Sequence, residues 1–278
     1  SWLLPAALRP HVATYYAFAR AIDDIADNPH LAPEEKIQRL DRFAAARSGE
    51  GPAEPRVGTG TEKAVRLRAS LAETGVSARH GLDLVLAFKQ DAVKLRYDDW
   101  PDLIAYCNLS AAPVGRYLLD LHGEDKALHR GSDALCNALQ VLNHLQDCKD
   151  DYRNLDRVYL PQDWMAELGA QVSEIGAERL GPRLRAVIDR CLEGVAGLLD
   201  QARPLPLALA NRRLALETGI IVRIAQRLAR ELRRRDPLAE RVVLTKRQFL
   251  TAAVAGMAST LVGRAGAGRA GAALVGWR

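Results

Sequence analysis

The chain is expected to be an all-α, single-domain bundle around a central apolar cavity. Three observations predict this. Convincing β-hairpin turns and β-branched runs are scarce, 3.6-residue apolar periodicity recurs along most of the chain, and no composition break separates a second unit. With 278 residues, 48% of them hydrophobic and 26% charged, the chain can bury a sizeable core and is not of disordered composition.

The periodicity predicts helices over residues 10–28, 33–47, 61–74, 77–94, 100–122, 133–152, 172–181, 182–202, 207–235 and 245–262. The first ends at Asn28-Pro29, and Pro33 suits a first-turn position of the second. Residues 48–60, rich in Gly and Pro, read as a loop. Asp98 and Asp99 before Trp100-Pro101 read as helix-start acids, and Tyr15, Trp100 and Trp164 as packing residues. Residues 1–262 form the domain, and 263–278, rich in Gly and Ala, are expected to fray. No stretch of 18 apolar residues or signal peptide stands out, so a membrane span is not expected. Cys107, Cys136, Cys148 and Cys191 match no zinc or redox spacing and fit buried thiols in a reducing compartment. The net charge of +5 and the run Arg233-Arg234-Arg235 leave three partners open: nucleic acid, an anionic membrane or a polyanionic small substrate.

Two acidic segments narrow the choice. In Tyr15-Tyr-Ala-Phe-Ala-Arg20-Ala-Ile-Asp23-Asp24-Ile-Ala-Asp27, Asp23 and Asp27 are one helical turn apart, about 6 Å along the axis. Tyr16 and Arg20 extend that face. Carboxylates set in an apolar helix call for a cation partner, a raised pKa or a bound metal, although an exposed helix end would also tolerate them. In the second segment, Gln140, Asn143, Asp147 and Asp151 fall at i, i+3, i+7 and i+11, with Asp150 alongside. A solvent-facing stripe normally carries Lys and Glu, whereas carboxylate and amide oxygens suit Mg²⁺ shared with a phosphorylated substrate. His144 is expected to point away from this stripe as a packed side chain. Lys246 and Arg247 are candidates for either a diphosphate contact or plain surface.

These segments, with Arg157-Val158-Tyr159-Leu160-Pro161 and Tyr106-Cys-Asn-Leu-Ser110-Ala-Ala-Pro113-Val114-Gly115-Arg116, resemble the squalene/phytoene synthase family of head-to-head prenyltransferases. The resemblance covers roughly residues 1–262. Ser1-Trp-Leu-Leu-Pro5, Tyr16–Arg20 and Asn143-His-Leu-Gln146-Asp147 are most similar to the branch that makes hydroxysqualene for hopanoids. It implies an isoprenoid-synthase bundle that ionises presqualene diphosphate, rearranges it and captures water to give hydroxysqualene and diphosphate. Sister activities share the motifs: presqualene diphosphate, squalene and phytoene synthases acting on farnesyl or geranylgeranyl diphosphate.

By that resemblance, Asp23, Asp27, Asn143, Asp147 and Asp151 bind two or three Mg²⁺ ions, and Asp24 and Asp150 support them or join a metal. Arg20 pairs with diphosphate; Asn143 also contacts substrate. Tyr16, Tyr106 and Tyr159 stabilise cations, Gln140 orients water or substrate, and Val114 and Gly115 shape the hydrocarbon channel at a small-residue kink. NADPH is not expected. Implied partners are a presqualene diphosphate synthase, an FAD-dependent enzyme that processes hydroxysqualene, and transient membrane contact from a cytoplasmic, peripheral position at the inner face. Two departures stand out. Asp150 stands where the family usually has Glu, and the Ser-containing diphosphate segment that the family carries before the first helix is expected to be absent or truncated here. The C-terminal membrane helix of the squalene synthases of nucleated cells is not expected either. A basic helical nucleic-acid binder, an inactive scaffold, and a terpene cyclase or chain elongator are the competing readings. The first leaves both acid clusters unexplained, six aspartates oppose the second, and the Tyr106–Arg116 segment does not suit chain elongation.

Overall fold

The computed structural model describes residues 4–48 and 61–275, with side chains from 4 to 47 and 61 to 266. The predicted loop at 48–60 lies almost wholly outside the described residues. Twelve α-helices are present among them. The first four are α1 (Arg9–Ala26), α2 (Pro33–Ser48), α3 (Glu62–Thr74) and α4 (Arg79–Asp91). Next come α5 (Trp100–Ser110), α6 (Ala112–Leu121), α7 (His129–Leu155) and α8 (Gln162–Glu167). The last four are α9 (Pro182–Ala202), α10 (Leu205–Ala208), α11 (Arg212–Arg234) and α12 (Lys246–Val275).

Two apolar clusters organise the bundle. Tyr15, Phe18 and Ile22 of α1 pack with Leu40 and Phe43 of α2, Leu67 of α3, Leu84 of α4 and Tyr117 of α6. The Tyr15 and Tyr117 rings stack at 3.9 Å. The larger cluster surrounds α7, whose Val141, Leu142 and Leu145 meet α5, α9 and α11. Trp100 and Trp164 stack at 5.4 Å within that layer. All four cysteines are free, three of them buried.

Several expectations need correcting. The helix predicted over 100–122 breaks at Ala111, because Pro113 cannot donate to the ladder and starts α6 afresh. Residues 172–181 form only a 3₁₀ turn, Val172–Gly176, and the segment predicted at 207–235 is divided between α10 and α11. A short parallel pair joins β1 (Arg96–Tyr97) to β2 (Val158–Pro161). The chain after Val262 does not fray at once: α12 continues to Val275, where alanines offset the helix cost of the glycines. Within α12, Lys246–Gly266 is long and apolar enough to span a bilayer by length and composition, with mean hydropathy 1.2. Interspersed small residues hide that stretch from a search for an unbroken apolar run.

Candidate active site

The acidic end of α1 is positioned by its stop signal. The helix closes at Asp27, whose N–H bonds the Asp23 carbonyl at 2.9 Å before Asn28-Pro29. That places carboxylates at the negative end of the helix dipole, an unfavourable location without positive charge nearby. Arg20 Nη1 donates to Asp23 at 2.7 Å, and its Nε pairs with Asp24 at 3.0 Å.

At the end of α7, Asp156 takes the left-handed conformation at φ 52°. The Arg157 N–H then bonds the Asp151 carbonyl at 3.2 Å, and Arg96 reaches the Asp156 carboxylate at 2.6 Å. This reversal sends the buried Arg157 side chain across to α1. There it donates to Asp27 Oδ1 at 2.6 Å and to the Ala26 carbonyl at 2.8 Å.

The two acidic stripes open on one cavity of about 420 Å³. From α1 it receives Tyr16, Ala19, Arg20, Asp23 and Asp27, and from α7 Gln140, Asn143, His144, Asp151 and Leu155. Phe88 and Asp91 of α4, Tyr106 and Ser110 of α5, Val114 of α6, Arg157 and Tyr159 complete the wall. Tyr16 stands at the mouth, 69% exposed.

Not every expected residue is brought there. Asp24 turns to the surface side of α1, beside Glu35 and Arg39 of α2. Asp150 is exposed, and Asp147 is held by Arg241 at 3.3 Å. Gly115 faces α7 instead of the cavity; a Cβ there would run into Ser132 and Cys136. Its smallness therefore sets the α6–α7 approach, while neighbouring Val114 meets the cavity. Lys246 and Arg247 are exposed and are not part of the lining.

Three residues were passed over in sequence. His144 is packed, as expected, but it also reaches the cavity. It lies four residues after Gln140 and bonds its amide at 3.2 Å, and its ring stacks on Tyr159 at 3.6 Å. Burial, aided by Arg157, pushes its pKa down to about 3, so the imidazole is neutral. Asp91 is 3% exposed and accepts from Tyr106 at 2.6 Å and Tyr159 at 3.2 Å. Its signal was legible: it continues the Leu84, Phe88 core stripe of α4, where a carboxylate has no apolar purpose. Arg157 sat within a quoted motif, but only the turn at Asp156 shows where it points.

The electrostatics favour a hard cation. Burial and then the Asp27 charge raise the Asp23 carboxyl to about 6. Burial and then Asp147 raise Asp151 to about 7, with Asp27 across the cavity contributing. That mutual repulsion shows that the stripes sense each other. Burial also raises Asp147, although Arg241 opposes the rise. Among the described residues, no three His, Cys, Asp or Glu groups converge to hold an ion alone. The donors fit Mg²⁺ in the manner that ion prefers, a few carboxylate oxygens completed by waters and substrate phosphate.

Residues 1–248 match the family described as squalene/phytoene synthase. The chain belongs to that family and is a hydroxysqualene synthase-like enzyme. It is 43% identical over 268 residues to a hydroxysqualene synthase of Rhodopseudomonas palustris, covering 95% of this chain and 88% of the relative. Identity to the hydroxysqualene synthase of Sinorhizobium fredii is 40% over 269 residues, with the same two coverages. The crystal structure of squalene synthase HpnC from Alicyclobacillus acidocaldarius superposes with a TM-score of 0.71 at 31% identity, over 84% of this chain and 86% of that one.

Proposed function

We propose that this enzyme converts presqualene diphosphate to hydroxysqualene and diphosphate in hopanoid synthesis. The observation that carries the reading is the convergence of Asp23 and Asp27 of α1 with Asn143 and Asp151 of α7 on one cavity that also holds arginines and tyrosines. The hydroxysqualene synthase relatives support the particular product.

Asp23, Asp27, Asn143 and Asp151, with Asp147 once Arg241 releases it, would hold Mg²⁺. When bound, Mg²⁺ supplies Lewis-acid neutralisation of the departing diphosphate. Arg20 binds the diphosphate at the mouth. The carbon–oxygen bond breaks with both electrons leaving on diphosphate, and the cyclopropylcarbinyl cation rearranges with ring opening. Tyr106 and Tyr159 present electron-rich rings to that cation, enriched by the hydrogen bonds they donate to Asp91. Gln140 orients the water that attacks the cation. Its oxygen forms the new carbon–oxygen bond and its proton passes to solvent or diphosphate. No hydride enters, so NADPH has no role. A cytoplasmic, membrane-peripheral enzyme would receive substrate from a presqualene diphosphate synthase and pass product to an FAD-dependent enzyme.

The test incubates purified protein with presqualene diphosphate and Mg²⁺, with and without NADPH, and identifies the lipid products. Hydroxysqualene in equal yield under both conditions is expected. Squalene formed only with NADPH, or turnover of farnesyl diphosphate in place of presqualene diphosphate, would overturn the proposal.

A further inference from the structure

We propose that the outward face of α12, flanked by the arginines of the α11–α12 hairpin, seats this protein on an anionic lipid bilayer with the helix lying flat along the surface. The face is read directly from the helix. Leu250, Val254, Ala258, Leu261 and Ala265 fall on one stripe and all are exposed. Leu250 is 64% and Val262 74% exposed. A helix at an ordinary protein–water boundary turns charged residues outward, and here the outward face is apolar.

Charge identifies the occupant. The hairpin, residues 212–275, contains thirteen basic residues and four acidic ones, and α12 has no acid at all. Its net charge of +9 leaves −4 for the rest of a chain whose total is +5. Arg212, Arg213, Arg233, Arg234, Lys246 and Arg247 are exposed, and none has an acidic partner among the described residues. Arg247 lies on the apolar face near its start. Towards its end, Arg212 and Arg264 share a surface depression with Leu216 and Leu261. Guanidinium beside exposed alkyl surface matches a phospholipid, with phosphate at the head and acyl chain beneath. A second copy docked on this face would set one +9 hairpin against another, and nucleic acid would leave the leucines without a partner.

The packing holds α12 flat. Gly256 sits against α11 so closely that a Cβ there would come within 2.7 Å of Ile220 Cα. Thr260 is buried on the same side and bonds the Gly256 carbonyl at 2.9 Å. Crossing the bilayer would strip this interface, whereas lying on it keeps the interface and buries only the outward face. The preceding segment touches α7, through Gln146 to the Val242 carbonyl at 2.6 Å and Arg241 to Asp147. A seated α12 therefore holds the catalytic end of α7 near the lipid surface. That last consequence rests on the proposed function; the docking surface does not.

The experiment floats the full chain with equimolar phosphatidylcholine/phosphatidylglycerol vesicles and, separately, with phosphatidylcholine alone. Binding to the anionic vesicles and its loss at high salt are expected. Leu250→Glu combined with Leu261→Glu should weaken partitioning at least about tenfold, and Arg212→Glu about fivefold or more. Thermal melts establish that the variants fold, with Leu250→Gln/Leu261→Gln as the gentler pair. Turnover of detergent-dispersed substrate should be unchanged in all of them, since none of these residues lines the cavity, so a failed docking test and a failed functional assignment remain distinguishable. Equal binding to both vesicle types, indifference to the substitutions, or tighter capture by duplex DNA would overturn the proposal. A concentration-dependent dimer in sedimentation that Leu250→Glu abolishes would assign the face to a second copy instead.

Discussion

The ends of α1 and α7 carry similar sets of carboxylates, yet the fold treats them differently. On α1 each cavity-facing acid has a cation in hand: Arg20 on Asp23 and Arg157 on Asp27. At the C-terminal end of α7, Asp147 pairs with Arg241, and the Asp151 carboxylate has neither an ion pair nor a hydrogen-bond donor among the described residues. The protonation balance follows. Asp23 is raised to about 6 and Asp151 to about 7, burial being the first cause in both. The α1 half of the cluster is thus neutralised from within, whereas Asp151 on the α7 half has no charge partner among the described residues.

The largest effect that separates the two ends is catalytic. Asp151→Asn is expected to cut kcat about a thousandfold, roughly 4 kcal/mol of transition-state stabilisation, with circular dichroism unchanged. Asp23→Asn should also abolish most turnover. If Asp151→Asn keeps near-normal activity, the α7 stripe is not a metal site. A middle-sized effect is structural. Arg157→Met strands Asp27 beside Asp23 and Asp151 and should cost roughly 2 kcal/mol in urea unfolding, less than a fully buried pair because Asp27 is partly exposed. An unchanged midpoint would show that Arg157 is not needed to offset the α1 acids.

The smallest effect is a pH slope. Below about pH 4 Asp151 is protonated in both folded and unfolded chains, and its contribution is fully present. As pH rises through about 7 the fold must hold an anion there, and that stability is lost. Asp151→Asn, which cannot ionise, should therefore gain on the parent between about pH 4 and 7, by roughly 2 kcal/mol once the ~4 kcal/mol of a rise to about 7 is discounted for the partial exposure of Asp151. Mg²⁺ added at pH 8 should stabilise the parent more than the variant. Parallel stability curves would mean that Asp151 is already compensated.

Much of the candidate site was legible because helical spacing is rigid: Asp23 with Asp27, and Gln140 with Asn143 and Asp151, are placed on common faces by 3.6-residue geometry. Where that reading fell short, the cause was contact between elements. Asp24 and Asp150 are neighbours in sequence of cavity residues but are rotated away by a single helical step. Gly115 is spent on the approach of α6 to α7. Asp91 lies on a helix with no acidic motif and acquires its position only when α4 meets the tyrosines of α5 and β2.

Composition and periodicity by themselves determined the all-helical class, most helix boundaries and the two oxygen-rich stripes, since these depend on local backbone geometry and on which residues tolerate water. Tertiary structure alone decided that the stripes share one cavity, that Arg157 bridges from α7 back to Asp27, and that α12 shows an apolar face outward. Each of these is set by the packing of segments distant in sequence, and no local rule specifies which distant surface a helix will meet.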